Sequence, residues 1–591
     1  MDPSQRVKTG LPASQPTFTM PSLTKRRTIA FSLIVIVVIS VAWIYWNRTT
    51  RADMSAWAAA DSLAYLEVND LADVFQGVEH TDAWRSLSGP VGAPPTLGSN
   101  RWWVRLARWT GIGSAEAILL SRSQVAVVFS GAQGAQDGST LTIKPLVTVI
   151  IETHTSQRRM RSAVERHVEE LARRVYRNPV FVRKQANGVE LQEWMSDDAS
   201  HQIVTTFVDT TVVVGNDEGS VLRSLDAHSG KLPSLQQSND LNEVRRNLDS
   251  SNASAFGFVL QPGVKSFLQA YALYRSSPSA DNVTAARIFA DTFGSIVKSA
   301  GWTARFRDGM VEDRGSINLA DGVADKMRAD MSPNRVIDLT NLSFVPSEAQ
   351  SISLYQIQDP ASFWTDFNAV LSSHADILGS IAARPMLRGL LKSYGIDDAD
   401  TFARSIGARL QTIRLEDSSP SVLIVEAYDR VGVKKSIAPR FGANPKLEKV
   451  DDLDLLLSSD NQLAAAFIDN DFLIGPVEAV RRCLATKKQS QSISSTEAFR
   501  RAAQVIDVSR PLTAITFTDD QHAAISFAET FTNEEGSPFS SNADAIKGAA
   551  KKLPYAVSVS MLKGAAIEWT SRSSFGIGGS FLVQLFPEKS R

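Results

Sequence analysis

The chain has 591 residues, 43% hydrophobic and 21% charged, with a formal net charge of −1. That composition excludes broad disorder and gives no bulk attraction to nucleic acid, so no nucleic-acid partner is expected. The one cysteine, Cys483, excludes an intramolecular disulfide, and the length suggests several domains of about 150 residues.

Residues 1–24 are polar, hold Pro3, Pro12, Pro16 and Pro21, and are expected to form a disordered cytoplasmic tail. Residues 28–46 then run without a charge, a proline or a glycine. At about 1.5 Å per residue, a helix of about 20 such residues crosses a bilayer core of roughly 30 Å. Lys25, Arg26 and Arg27 precede the run, and Trp43, Tyr45 and Trp46 close it. Residues 25–50 therefore read as a transmembrane signal anchor, with the membrane as partner through residues 28–46. The basic flank places the N-terminus in the cytoplasm and the bulk of the chain outside it, at the inner (plasma) membrane.

Beyond the anchor, a set of motifs occurs twice in one order. Trp57-Ala-Ala-Ala-Asp61 leads into a strand over 63–68 and Asp70, which fits a helix N-cap. Phe344-Val-Pro-Ser-Glu348 leads into a strand from Ile352 and then Asp359. Arg101–Trp109 reads as an amphipathic helix ending at Gly111-Ile112, and a second helix ends at Gly395-Ile396. Both glycines suit the left-handed residue that closes a helix. Hairpins across Asp209 and Asp469 precede helices with apolar pairs, Val221/Leu225 and Val480/Leu484. Late strand pairs turn at Asp308-Gly309 and Lys563-Gly564, and Gly309-Met-Val-Glu312 lines up with Ala565-Ala-Ile-Glu568. These repeats predict two duplicated α+β domains with mainly antiparallel sheets and packed helices: the first over 55–320, a polar linker over 321–341, and the second over 342–588.

The aromatic–small–acid lead, the helix closing on Gly-Ile and the late strand carrying Val-Glu or Ile-Glu resemble bacterial domain-of-unknown-function 3352 proteins. The resemblance spans most of 55–588. It implies anchoring by one N-terminal helix, and it assigns neither an activity nor a catalytic residue. Ala59 stands where Pro346 does in the second copy, so the lead motif is degraded in the first.

The helix over Ser156–Tyr176 is expected to bury Met160, Val164, His167, Leu171 and Val175, with Arg and Glu side chains on its solvated face. The stripe Trp102, Leu106, Trp109 is expected to face a core. Gly576-Ile-Gly-Gly-Ser580 reads as a turn before a strand over Phe581–Phe586. The chain holds no H-E-x-x-H, G-x-S-x-G, Walker loop or C-x-x-C pattern, so no catalytic residue, cofactor or metal site is assigned. Binding or scaffolding in the cell envelope, with an unknown envelope protein or ligand, is the leading expectation. An envelope carrier of a lipid or other apolar ligand is the alternative, and an envelope enzyme the third. An apolar, roomy pocket favours the carrier, and a cleft of convergent carboxylates or histidines with shifted pKa favours the enzyme.

Overall fold

The computed structural model describes residues 51–579 apart from 97–122, 138–139, 155–156, 177, 276–279, 332–334, 341, 375–386, 390, 417–419, 443, 451–452 and 533–541. Contacts divide the chain into two units, Met1–Arg51 and Ala52–Arg591. The expected tail and anchor lie outside the described residues. Among the described residues, no helix is long and apolar enough to cross a membrane.

Among its described residues the second unit mixes helices with one large antiparallel sheet of 20 strands. Its first ten strands are β1 (Ala64–Val68), β2 (Gln124–Asp137), β3 (Thr140–Glu152), β4 (Val180–Ala186), β5 (Val189–Met195), β6 (Gln202–Val208), β7 (Thr211–Gly215), β8 (Ala255–Leu260), β9 (Val297–Arg307) and β10 (Met310–Leu319). They lie side by side in the order β4-β5-β6-β7-β3-β2-β1-β8-β9-β10. The next ten are β11 (Ser351–Gln356), β12 (Ile406–Arg414), β13 (Val422–Ala427), β14 (Lys446–Val450), β15 (Leu453–Leu457), β16 (Leu463–Ile468), β17 (Asp471–Pro476), β18 (Ala514–Asp519), β19 (Tyr555–Lys563) and β20 (Ala566–Ser573). Their order is β14-β15-β16-β17-β13-β12-β11-β18-β19-β20, the same sequence of connections. The last strands of the two halves, β10 and β20, pair antiparallel over Val311–Asn318 and Ala566–Ser573, which makes the sheet continuous.

Local chemistry explains these elements. Ile515 and Phe517 of β18 are buried, as are Tyr555, Val557 and Val559 of β19, which is the period-two spacing of a strand facing a core. Asp70 caps the helix Leu71–Glu79 by accepting from the Ala72 amide, and Asp359 accepts from the amides of Ala361 and Ser362. Asp209, Asp308 and Asp469 take the left-handed turn conformation, with φ of 49°, 51° and 52°, which Asp tolerates better than most residues. Gly395 has φ of 75°, and the Ile396 amide donates back to the Leu391 carbonyl while the Gly395 amide donates to Lys392. This is the left-handed helix closure expected of it. Gly111 lies outside the described residues.

The lead motif has a structural explanation in each half. Ala59 bridges to Ser234, and Pro346 bridges to Ser492. The Leu235 amide donates to Ala58 and the Ile493 amide to Val345. The acid of each lead pairs with an arginine on the helix after the hairpin, Asp61 with Arg223 and Glu348 with Arg482. Trp57 stacks on His228, and Lys487 sits over Phe344.

Each half has its own apolar core, the first around Tyr65, Phe256 and Phe258, the second around Ile352, Phe499 and Phe517. Further clusters tie the halves together. Ala83 and Leu87 of the first half pack with Ala524, Ala528 and Ile546 of the second. The stretch expected as a polar linker carries the helix Val323–Met331. Its Val323, Ala324 and Met327 are buried against Val370 and Leu562, because the helix has an apolar face that this cluster covers.

Candidate functional site

Strand pleating sets which side chains meet at the junction. Glu312 and Arg314 of β10 and Glu568, Thr570 and Arg572 of β20 face one side of the sheet, while Asp313, Gly315 and Trp569 face the other. On the first side, the helix Asn239–Asn247 packs on β9, where Val244 covers Gly301, and the helix Glu497–Val505 packs on β19. The gap between them is a cleft of about 360 Å³. β10 and β20 supply its floor, Asn247 and Leu248 one wall, and Val505–Asp507 with Arg510 the other.

The floor is built around Glu312, whose side chain is 4% exposed. Arg572, directly opposite on β20, donates to its Oε2 at 2.8 and 3.0 Å, and Arg314 donates to its Oε1 at 2.8 and 2.9 Å. Arg307 lies 3.9 Å from the same carboxylate. Burial alone would push the Glu312 carboxyl up, but Arg572 and Arg314 outweigh it and hold the group below the usual carboxylate range. A buried charge is tolerated when it is paired in this way, and removing a partner is then costly. Glu568, matched to Glu312 in sequence, has a different fate. It faces Ser316 and, among the described residues, pairs with Lys563.

Behind the sheet the chemistry reverses. Asp313 is 1% exposed, and burial pushes its carboxyl up to about 6 against hydrogen bonds from the Ile577 amide and the Trp302 indole. Asp520 is likewise buried, with its carboxyl pushed up to about 6 while it accepts from the Ser574 amide. Gly315 permits the flat packing there. A β-carbon at that position would stand 2.0 Å from the Trp569 indole. These two carboxyls secure the segment after β20 and open onto no described cavity.

A second cavity, of about 890 Å³, runs along the helix Asn239–Asn247 and is lined by Asn242, Glu243, Arg246 and Ser250 among other polar residues. Neither described cavity is apolar. Among the described residues no group of three His, Cys, Asp or Glu side chains is placed to hold a metal ion.

The residues singled out in sequence are dispersed. The helix Gln157–Tyr176 buries Val168 and Ala172 against Trp194, whereas Leu171 and Val175 are exposed. The expected stripe is thus displaced by one position, because Trp194 and Ile203 of the sheet, rather than the helix's own apolar average, fix the contact face. His167 is half-buried, its Nδ1 3.8 Å from Glu170, and so sits on the helix flank instead of in a core. On the solvated face Glu169 and Arg173, one turn apart, pair at 2.6 Å. Cys483 is fully buried, and burial pushes its thiol up to about 12, so it packs as a small apolar group. Residues 576–579 begin a helical turn where a plain turn was expected. Its Ile577 amide is already occupied by the Asp313 carboxylate, which fills the place of an outside anion. Trp102, Leu106 and Trp109 and the strand over Phe581–Phe586 lie outside the described residues.

Sequence reading missed the cleft, since its cations come from segments about 250 residues apart. The one available signal was the matched Glu312 and Glu568, each within a few residues of a cation.

No family model matches the chain, and no curated protein is significantly similar to it. Two solved structures are similar in part. Crystal form I of TP0453 shares 8% identity over 46% of this chain and 80% of that one, with a TM-score of 0.23. Crystal form III of TP0453 shares 7% identity over 49% of this chain and 90% of that one, with a TM-score of 0.24, and a likeness this slight carries no argument.

Proposed function

We propose that this protein is a single-pass, membrane-anchored extracytoplasmic protein that acts by binding or scaffolding in the cell envelope. The observation that carries the reading is the uncharged run 28–46 behind Lys25-Arg26-Arg27, ahead of one compact body over 52–591. Binding is preferred to apolar transport because polar and charged side chains make up the lining of one described cavity and most of the lining of the other.

The body is two copies of one unit. The shared strand order and the repeated lead contacts support that duplication. So does the register of the seam: with Glu312 matched to Glu568, Arg314 matches Thr570, and these two residues face each other as at a two-fold axis.

Topology is tested by fusing a reporter that is active only outside the cytoplasm after Arg591. Activity supports the reading. Activity from a cytoplasm-only reporter at the same site would reverse it.

A further inference from the structure

We propose that the seam cleft is a binding site for a doubly charged phosphate group. The inference rests on the reading of this protein as a binder and names the ligand chemistry. The cleft draws cations from both halves, Arg307 and Arg314 from the first and Arg510, Lys563 and Arg572 from the second, within about 360 Å³. They face three lining carboxylates, Glu312, Asp507 and Glu568, with Asp308 at the rim beside Arg307 and Arg572. The cations outnumber the acids, and the most central acid, Glu312, is sealed beneath them at 4% exposure. What the cleft presents outward is therefore a layer of guanidinium edges.

Those edges have donors to spare. Arg314 spends Nε and one terminal nitrogen on Glu312. Among the described residues Arg307 makes only long ionic contacts, 3.5 Å to Asp308 and 3.9 Å to Glu312. Arg510 makes no hydrogen bond to the described residues, and its charge acts on Asp507 of the same wall. A planar guanidinium with a free edge matches two oxygens of a phosphate, and such charge-assisted pairs are roughly twice as strong as neutral hydrogen bonds. The buried carboxylate fixes Arg314 and Arg572 before any ligand arrives, so less side-chain entropy is lost on binding. Cations on the floor and on one wall converge from different planes. That suits a tetrahedral oxyanion better than a flat monocarboxylate, and the Thr570 hydroxyl opposite Arg314 adds a neutral donor. Neither half alone forms the site, since its floor is the β10–β20 pair.

A soluble phosphate monoester and a lipid headgroup ending in phosphate present the same group, and the test separates them. The full chain is placed in phosphatidylcholine nanodiscs and titrated calorimetrically with inorganic phosphate and, separately, with dihexanoyl phosphatidate. Binding should weaken about tenfold or more in Arg314→Gln/Arg510→Gln, as expected when charge-assisted hydrogen bonds are lost. Arg510 is exposed, whereas Arg314 is half-buried against Glu312, so the variant is used only if it keeps the wild-type circular dichroism spectrum. If it does not, Lys563→Gln, whose ion pair among the described residues is with Glu568, takes its place, with a severalfold loss expected. Response to both probes, each weakened by the variant, supports recognition of phosphate by itself. A weakened response to phosphatidate alone assigns the lipid source, and to inorganic phosphate alone the soluble one. No response to either probe, or equal binding by the variants, overturns the proposal. The assay uses purified protein, so a reversed topology would leave its outcome standing, and loss of binding would leave the topology standing.

Discussion

The two halves use one backbone plan with different chemistry inside it. In the first half, the helix Asn239–Asn247 brings Arg245 onto Glu67 and Asp53, with Tyr65 donating to Glu67 and Arg245 lying 5.5 Å over the Phe256 ring. In the second, the helix Glu497–Val505 buries Phe499 and Ala502 where the first buries Leu241 and Val244, and Ala503 stands in the place of Arg245. Ala503 packs against the apolar core and carries no charge there. Burial pushes the Glu67 carboxyl up despite Arg245, whereas Ala503 brings no charge to the corresponding position. The lesson is that the ladder and the helix contacts set the frame. An ionic or an apolar cluster can then fill the same position, at different risk to stability.

The largest expected effect follows from that risk. Arg245→Leu leaves Glu67 and Asp53 without their cation and should cost about 3–5 kcal/mol of unfolding free energy, read by urea denaturation. The double change Glu67→Gln/Arg245→Leu should recover most of that loss, because no buried charge is then unpaired. A single change costing under about 1 kcal/mol would break the contrast between the halves.

An intermediate effect concerns pH. Asp520 opens the helix Asp520–Thr532, and Gln261 opens the corresponding helix Gln261–Arg275 in the first half. The folded Asp520 carboxyl titrates near 6 against an ordinary 3.8, so the folded chain holds a proton that the unfolded chain has already released. Its contribution is full below about pH 3.8, is lost as pH rises toward 6, and amounts to about 3 kcal/mol over that window. Asp313 at the seam adds a term of the same sign. Unfolding free energies at pH 4, 5, 6 and 7 should therefore fall less steeply in Asp520→Asn than in the unaltered protein. An identical slope would remove Asp520 from the account.

The smallest effect is at Gly395. A β-carbon there would adopt φ of 75° and stand 3.0 Å from Leu463 Cδ1, so Gly395→Val should cost about 1–2 kcal/mol. The matched Gly111→Val, measured the same way, sharpens the comparison. A similar cost indicates the same helix closure in the first half, and a negligible one indicates a different ending.

By itself, the sequence determined what short-range forces decide. The caps at Asp70 and Asp359, the turns at Asp209, Asp308 and Asp469, the closure at Gly395 and the alternation in β18 and β19 each depend on a few neighbouring residues, so they can be read from spacing. The order of the paired motifs was legible for the same reason. The tertiary structure decided what those motifs were for. The acids of the two leads proved to be partners of Arg223 and Arg482, which lie more than a hundred residues away. The buried face of Gln157–Tyr176 was set by Trp194 rather than by the helix's own apolar average. Glu312 and Glu568 look alike in sequence, yet one lies under three guanidinia and the other faces Ser316. That difference arises only when β10 pairs with β20. Burial and electrostatics depend on which side chains the paired sheet brings within a few ångströms, and no local pattern encodes that distance.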